Sequence, residues 1–334
     1  MELKWAEQLI KDNEKKVSLL ASLNHVKPYH FQPNLTLSSF LLKDTSLGRI
    51  NCITRHDDVC VKTSEDEYKF IIIGMVLLSP SKLILADRYN KSIKMIDLHN
   101  NSLTDQLQLV TEPWDITAVT NDQVAVTLQD EGAIQFISES SNKLKLKNKL
   151  RVDGTCSGIS CYQKKLVVTF SSLSMLQIID MKGKVIKTIA TDSNGQDILN
   201  VPYYVKSNSH SIYVSDAGKH AVLQLNWQGE LIGSYGGMGL PEGIALLEDG
   251  SILVSDRDNC NIQHISCDLT KGSALLKDMK KPHAVCWNST DNKLYVSSYS
   301  LRDINNDCIQ VFQVSKCNVE NYLQGKFDLE WGHF

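Results

Sequence analysis

Long apolar runs are missing from this chain. Nowhere do the roughly 18 consecutive apolar residues of a membrane-spanning helix occur, so neither a membrane span nor a membrane partner is expected. The first residues, Met1-Glu2-Leu3-Lys4-Trp5-Ala6-Glu7, are charged where a secretion signal carries an apolar core. The expectation is an intracellular, cytoplasmic protein. Nine cysteines are present, yet no two stand in a Cys-x-x-Cys spacing; the nearest pairs are Cys156 with Cys161 and Cys260 with Cys267. Zinc needs several ligands held at such short spacings, so no metal site is expected. An odd count without a secretion signal points to free thiols rather than disulfides. Net charge is −3, and with the basic residues read as scattered, no strong field of either sign is expected. No Ser-His-Asp constellation and no Gly-rich phosphate loop stands out, so neither a cofactor nor catalysis is expected.

What the chain has is a repeat. Six apolar runs, among them Leu83-Ile84-Leu85-Ala86, Val124-Ala125-Val126-Thr127 and Ile252-Leu253-Val254-Ser255, end in register at Asp87, Leu128, Phe170, Asp216, Asp256 and Ser298. The spacings between these anchors are 41, 42, 46, 40 and 42 residues. A period in the forties built from short strands is the pattern of a β-propeller. A second apolar run opens six residues past the first five anchors, at Ile93, Ile134, Leu176, Val222 and Ile262. In the sixth copy Ile309 takes this role, after an insertion around Arg302 to Asn306. Pro113, Pro202, Pro241 and Pro282 precede the innermost run of four copies. Proline has no amide donor and suits the first residue of a strand, so these mark where inner strands start. Each copy is a meander of about four strands that cannot bury both faces alone, and an all-β, six-bladed β-propeller follows.

The N-terminal segment differs in period. Leu3, Ala6, Ile10, Val17 and Leu20, with Asn13 in the same series, follow the three-four spacing of a heptad, with charged residues between. Residues 1–27 read as a short coiled-coil-type helix, open to self-association or to docking on the propeller. Residues 28–46 form a linker, 47–315 the propeller and 316–334 a C-terminal tail. A strand near Ile50 is expected to complete the last blade, because an unclosed ring would expose edges.

Leu83-Ile84-Leu85-Ala86-Asp87-Arg88-Tyr89-Asn90, and Pro241-Glu242-Gly243-Ile244 leading to Val254-Ser255-Asp256-Arg257-Asp258-Asn259, resemble NHL repeats. The helix followed by the propeller is similar to the junction in tripartite-motif (TRIM) NHL proteins. That resemblance implies protein recognition and scaffolding, as in the substrate-binding part of a ubiquitin ligase. The ligase modules themselves, RING and B-box, are not found in this sequence, so ligase activity is expected only if a RING is joined upstream. The repeat's Asp, here Asp87, Asp216 and Asp256, has a physical role of its own. A carboxylate ending the middle strand can accept amides of the following turn and fix it.

Register brings Trp114, Tyr203, Glu242 and His283, each just after an inner-strand proline, to one face near the axis. Two aromatics, an acid and a histidine form a patch suited to docking a protein partner. Family members that bind RNA use a basic propeller face, which makes Arg88, Lys91, Lys219, His220, Arg257 and Arg302 the candidates for the alternative function. A channel metal of the kind held by propeller lactonases would need six to eight oxygen ligands. Asp115 and Glu242, with Trp114, Tyr203 and Tyr204 between them, supply too few.

Overall fold

The computed structural model describes residues 51–298 and 308–316. The expected helix over 1–27, the linker 28–46, the tail beyond Lys316 and Arg302 lie outside the described residues. Those described form six antiparallel sheets, the first five each a meander. Blades 1 to 5 run over residues 72–108, 113–151, 159–189, 202–236 and 241–276. The second strands are buried along nearly all of their length, as in Lys82–Asp87 and Ile212–Asp216, because a blade is covered on both faces by its neighbours. The outermost strands, such as Leu231–Gly236, are mostly exposed. Two short 3-10 turns, Gln129–Glu131 and Ser171–Leu173, are the helical segments among the described residues. No helix there is long and apolar enough to cross a membrane.

Blade 6 closes the ring. Its inner strands are Pro282–Asn288, Lys293–Ser298 and Cys308–Lys316, and its outer strand comes from Asn51–Arg55 at the other end of the chain. Ile53 pairs with Val314 and Arg55 with Phe312 in that seam. The strand expected near Ile50 thus sits in the last blade and covers an edge that would otherwise stay unpaired.

The hydrophobic core is divided among six clusters, one at each junction between consecutive blades. Leu83 and Leu85 of blade 1 meet Tyr295 and Val311 of blade 6, and Phe136 of blade 2 meets Phe170 of blade 3. No blade therefore holds a core of its own, and stability is shared between neighbours.

Each of the four prolines opens an inner strand and pairs with the anchor of its blade, Pro113 with Leu128 and Pro241 with Asp256. A register shift follows at once in all four. Such a bulge re-aims side chains, and it lies at the position that carries Trp114, Tyr203, Glu242 and His283. The three anchor aspartates are fully buried or nearly so. Asp216 accepts the amides of Asn200, Val201 and Lys219 at 2.7, 3.0 and 3.0 Å. Asp256 accepts those of Gly239 and Leu240, and Asp87 that of Ile71. Most of these donors belong to the chain entering the inner strand; of the following turns, only Lys219 supplies a backbone amide, while Asn90 and Asn259 supply side-chain ones. The carboxylate therefore ties the start of a blade to the end of its middle strand. In blade 1 the buried Lys94 ammonium also lies 2.8 Å from Asp87 and 2.7 Å from Asp66.

Candidate functional site

The residues after the prolines lie at the end of the propeller where inner strands begin. Trp114 of blade 2 and Tyr203 of blade 4 meet with ring centroids 5.8 Å apart and planes tilted by 58°. They come together above blade 3, whose residues at the corresponding positions are small, Ser157 and Gly158. Gly158 is required there: a Cβ would stand 2.7 Å from the Tyr203 oxygen and the Tyr204 Cα. On the other side of the axis, His283 Nδ1 lies 2.6 Å from Glu242 Oε2, and Arg257 donates to Glu242 Oε1 at 3.0 Å. Gly243 makes the matching close approach, with a Cβ position 2.6 Å from the His283 oxygen.

Tyr204 joins the two halves. Its hydroxyl donates to the carbonyl of Ile73 at 3.0 Å and lies 3.3 Å from His283 Nδ1. Ile73 belongs to blade 1, opposite blade 4 in a ring of six, so this side chain crosses the axis. Its burial raises the phenol pKa well above the ordinary value, and the nearby carboxylates of Glu242 and Asp115 add to the shift. Asp115 is buried as well. Its two oxygens accept the amides of Ile116 and of Ile159 in the next blade, at 2.8 and 2.9 Å. Desolvation raises its pKa, opposed by the charge of Lys206 and by those two amides. The hollow lined by Arg88, Glu112, Pro113, Trp114, Gln129 and Asp130 is too small to admit a water.

Two residues from the basic set belong to this same surface. The Arg88 guanidinium carbon stands 4.7 Å from the Trp114 ring centroid, within cation–π range, while its Nε donates to Glu112 at 2.8 Å. Arg257 is paired with Glu242 and also lies 3.5 Å from Asp258. Of the others, Lys91, Lys219 and His220 are not joined to them. Lys91 occupies a left-handed turn position with its amide on the Arg88 carbonyl. Lys219 donates its ammonium to the Asp197 carbonyl, and His220 Nδ1 is 2.7 Å from the Gly239 oxygen. Among the described residues, then, most of the candidate cations contact groups of the protein itself. Trp114 Nε1 is buried and has no hydrogen-bond partner among the described residues.

What holds the site residues in position is a column of hydroxyls that gained no role from the sequence. The residue before each anchor is Ala86, Thr127, Thr169, Ser215, Ser255 and Ser297 in turn. Five of the six donate to the carbonyl at the head of the next blade's inner strand: Thr127 to Ser157 at 2.6 Å, Ser215 to Glu242 at 2.6 Å and Ser297 to Ile72 at 2.8 Å. Thr169 does the same to Tyr203 at 3.4 Å, and Ser255 to His283. The backbones of Tyr203, Glu242 and His283 are thereby fixed by the blade before them. The column is visible in the aligned sequence, but four of its partners lie about thirty residues away and the fifth, Ile72 for Ser297, at the other end of the chain.

With this geometry in hand, the relatives can be compared. Residues 238–265, from the entry to blade 5 through its third strand, match the NHL repeat. A search of curated proteins gave no match. Many solved structures share the fold. A Bacteroides thetaiotaomicron protein of unknown function is 13% identical, with 80% of this chain and 76% of that one aligned and a TM-score of 0.61. A streptogramin B lyase structure is 11% identical over 79% of this chain and 98% of its own, with a TM-score of 0.56. A catalytically inactive virginiamycin B lyase from Staphylococcus aureus, with quinupristin, is 13% identical over 79% and 99%, with a TM-score of 0.55. At these identities the likeness is one of fold alone.

Proposed function

We propose that this NHL-type propeller is a non-enzymatic recognition module that docks a protein segment on the face carrying Trp114, Tyr203, Arg88, Glu242, Arg257 and His283. The observation that carries the reading is Tyr204. By spanning the axis it leaves a shallow amphipathic face above it instead of a deep pocket for a small substrate. Trp114 and Tyr203 are partly exposed there, and aromatic and arginine side chains are the groups that most often dominate protein interfaces. Arg257, partly exposed, offers positive charge at the rim of this face, while the buried Glu242 holds Arg257 and His283 in place from below.

Protein docking is favoured over RNA at this face because Arg88 and Arg257 are neutralised by Glu112, Glu242 and Asp258, whereas phosphate binding calls for uncompensated cations. Lyase chemistry, suggested by the names of two structural neighbours, has no support beyond the shared fold. Joined to a RING, the module would serve as the substrate-binding arm of a TRIM-NHL-type ubiquitin ligase.

The test is affinity capture from lysate with the wild type beside Trp114→Ala combined with His283→Ala, and beside Arg88→Ala alone. Partner recovery is expected to vanish in the double variant and to fall in the single one, with thermal melting unchanged for Arg88→Ala. Full recovery by both variants refutes the assigned face.

A further inference from the structure

A second surface stands at the opposite end of the propeller. In a meander whose inner strands start at the mouth, the turns joining third to fourth strands lie at the far end. In blades 2, 3 and 4 these are residues 141–142, 181–184 and 226–230. Positive charge is gathered around them. Residues 143–187 hold ten lysines and arginines against two aspartates in a chain whose total is −3; Lys149, paired with Glu131, and Arg151, opposite Ala133, lie toward the mouth, so the charge at the far end comes from the other eight, all lysines. The even spread of charge expected from the whole sequence therefore does not describe the folded surface. The outer strand of blade 2, Lys143–Arg151, is a run of alternating lysine and leucine, nearly all of it exposed. Lys145, Lys147, Lys164, Lys182 and Lys184 are all exposed. Of the acids nearby, Asp105 is paired with Lys143 and Glu139 with Lys82. Asp180 is held by the amides of Lys182 and Lys184, and Glu230 by Asn226.

The same strands expose aliphatic side chains. Leu146, Val185, Ile186, Leu231 and Ile232 are 44–53% exposed, and they make up five of the nine strongly exposed large hydrophobics among the described residues. All five lie within four residues of those three turns. Lysines interleaved with aliphatic groups along one end of a disc match a surface that is flat, anionic and apolar just beneath its charges. Single-stranded nucleic acid calls instead for free aromatic faces. The aromatic pair at this end, Tyr162 with Trp227, is already packed ring to ring at 5.8 Å, with Lys165 over the Trp227 ring at 5.9 Å.

We infer that this basic and aliphatic rim docks the propeller peripherally on an anionic lipid bilayer, leaving the mouth on the opposite end open to its partner. No span is involved; the lysines are attracted to acidic headgroups while the aliphatic tips enter the interface. Each lysine near such a surface is worth about fivefold in affinity.

The full chain is tested by co-sedimentation with vesicles of phosphatidylcholine alone and with about one third phosphatidylserine added. Binding is expected to the second and not the first, and to weaken as salt rises. Lys145→Glu, Lys147→Glu and Lys184→Glu together should lower it by about a hundredfold or more. Ile186→Ser with Ile232→Ser should lower it about tenfold at unchanged charge. Circular dichroism checks that both variants are folded, and Trp114→Ala, at the other end, should bind vesicles like the wild type. No binding to the anionic vesicles, equal binding to both compositions, or full binding by the triple variant overturns the inference. Retention of a uridine oligomer that the triple variant loses, without any vesicle binding, overturns it in favour of a nucleic-acid surface.

Discussion

Blades 4 and 3 stand side by side and reach the same geometry through different chemistry. In blade 4 the anchor Asp216 buries a carboxylate that three backbone amides satisfy. In blade 3 the anchor Phe170 buries a ring against Phe136 and Cys156, and the turn after it is a 3-10 segment ending at Ser174 in the left-handed region. Blade 2 repeats the second solution with Leu128 and Gly132. A blade needs its middle strand tied down at the mouth end, and either hydrogen bonding to a charge or apolar packing can do it. What cannot be exchanged is the environment. Donors surround one anchor and hydrocarbon the other.

The sharpest way to break this comparison is to give blade 3 the repeat's own residue. Phe170→Asp removes a fully buried ring and places a carboxylate among apolar neighbours, at a cost of more than about 4 kcal/mol. Denaturant unfolding should show a severely destabilised or unfolded protein; a variant as stable as the wild type would mean that blade 3 carries the same donors as blade 4. The reverse operation is milder. Asp216→Ala leaves the amides of Asn200, Val201 and Lys219 without their acceptor and should cost about 3 kcal/mol, read from the same unfolding curves. A neutral outcome would show that the carboxylate is incidental. Smallest is Ser215→Ala, which removes one link between blades 4 and 5 and should cost about 1 kcal/mol. Because that hydroxyl holds the Glu242 carbonyl, amide exchange at Glu242 and Gly243 should quicken in this variant, and unchanged exchange would remove the hydroxyl column from the account.

The architecture was legible because it is periodic. Six apolar runs at a period in the forties and four prolines suffice to count the blades, and the last blade had to find its fourth strand at the other end of the chain. The NHL signature itself was clearest around Asp256, within the segment that matches the repeat, and absent at Leu128 and Phe170, where packing replaces it. The site was legible only in part. Register placed Trp114, Tyr203, Glu242 and His283 on one face, but it treated Arg88 and Arg257 as a separate basic set, because pairing with Glu112 and Glu242 depends on side chains from different strands. Tyr204 was placed at the channel entry, but its crossing of the axis to Ile73 gave no signal, since such a tyrosine looks in sequence like any other strand residue. The rim charges were visible in the composition of residues 143–187 yet vanished in the average over the whole chain.

The measurement that bears most directly on the recognition face is site-specific photo-crosslinking in cells. A photoreactive residue replaces Tyr203 in one variant and Thr188, on the outer wall of blade 3, in another. A discrete protein adduct at position 203 that disappears when Trp114→Ala is added, with none at 188, is the predicted result. Adducts at 188 but not at 203, or RNA in place of protein at 203, would contradict it.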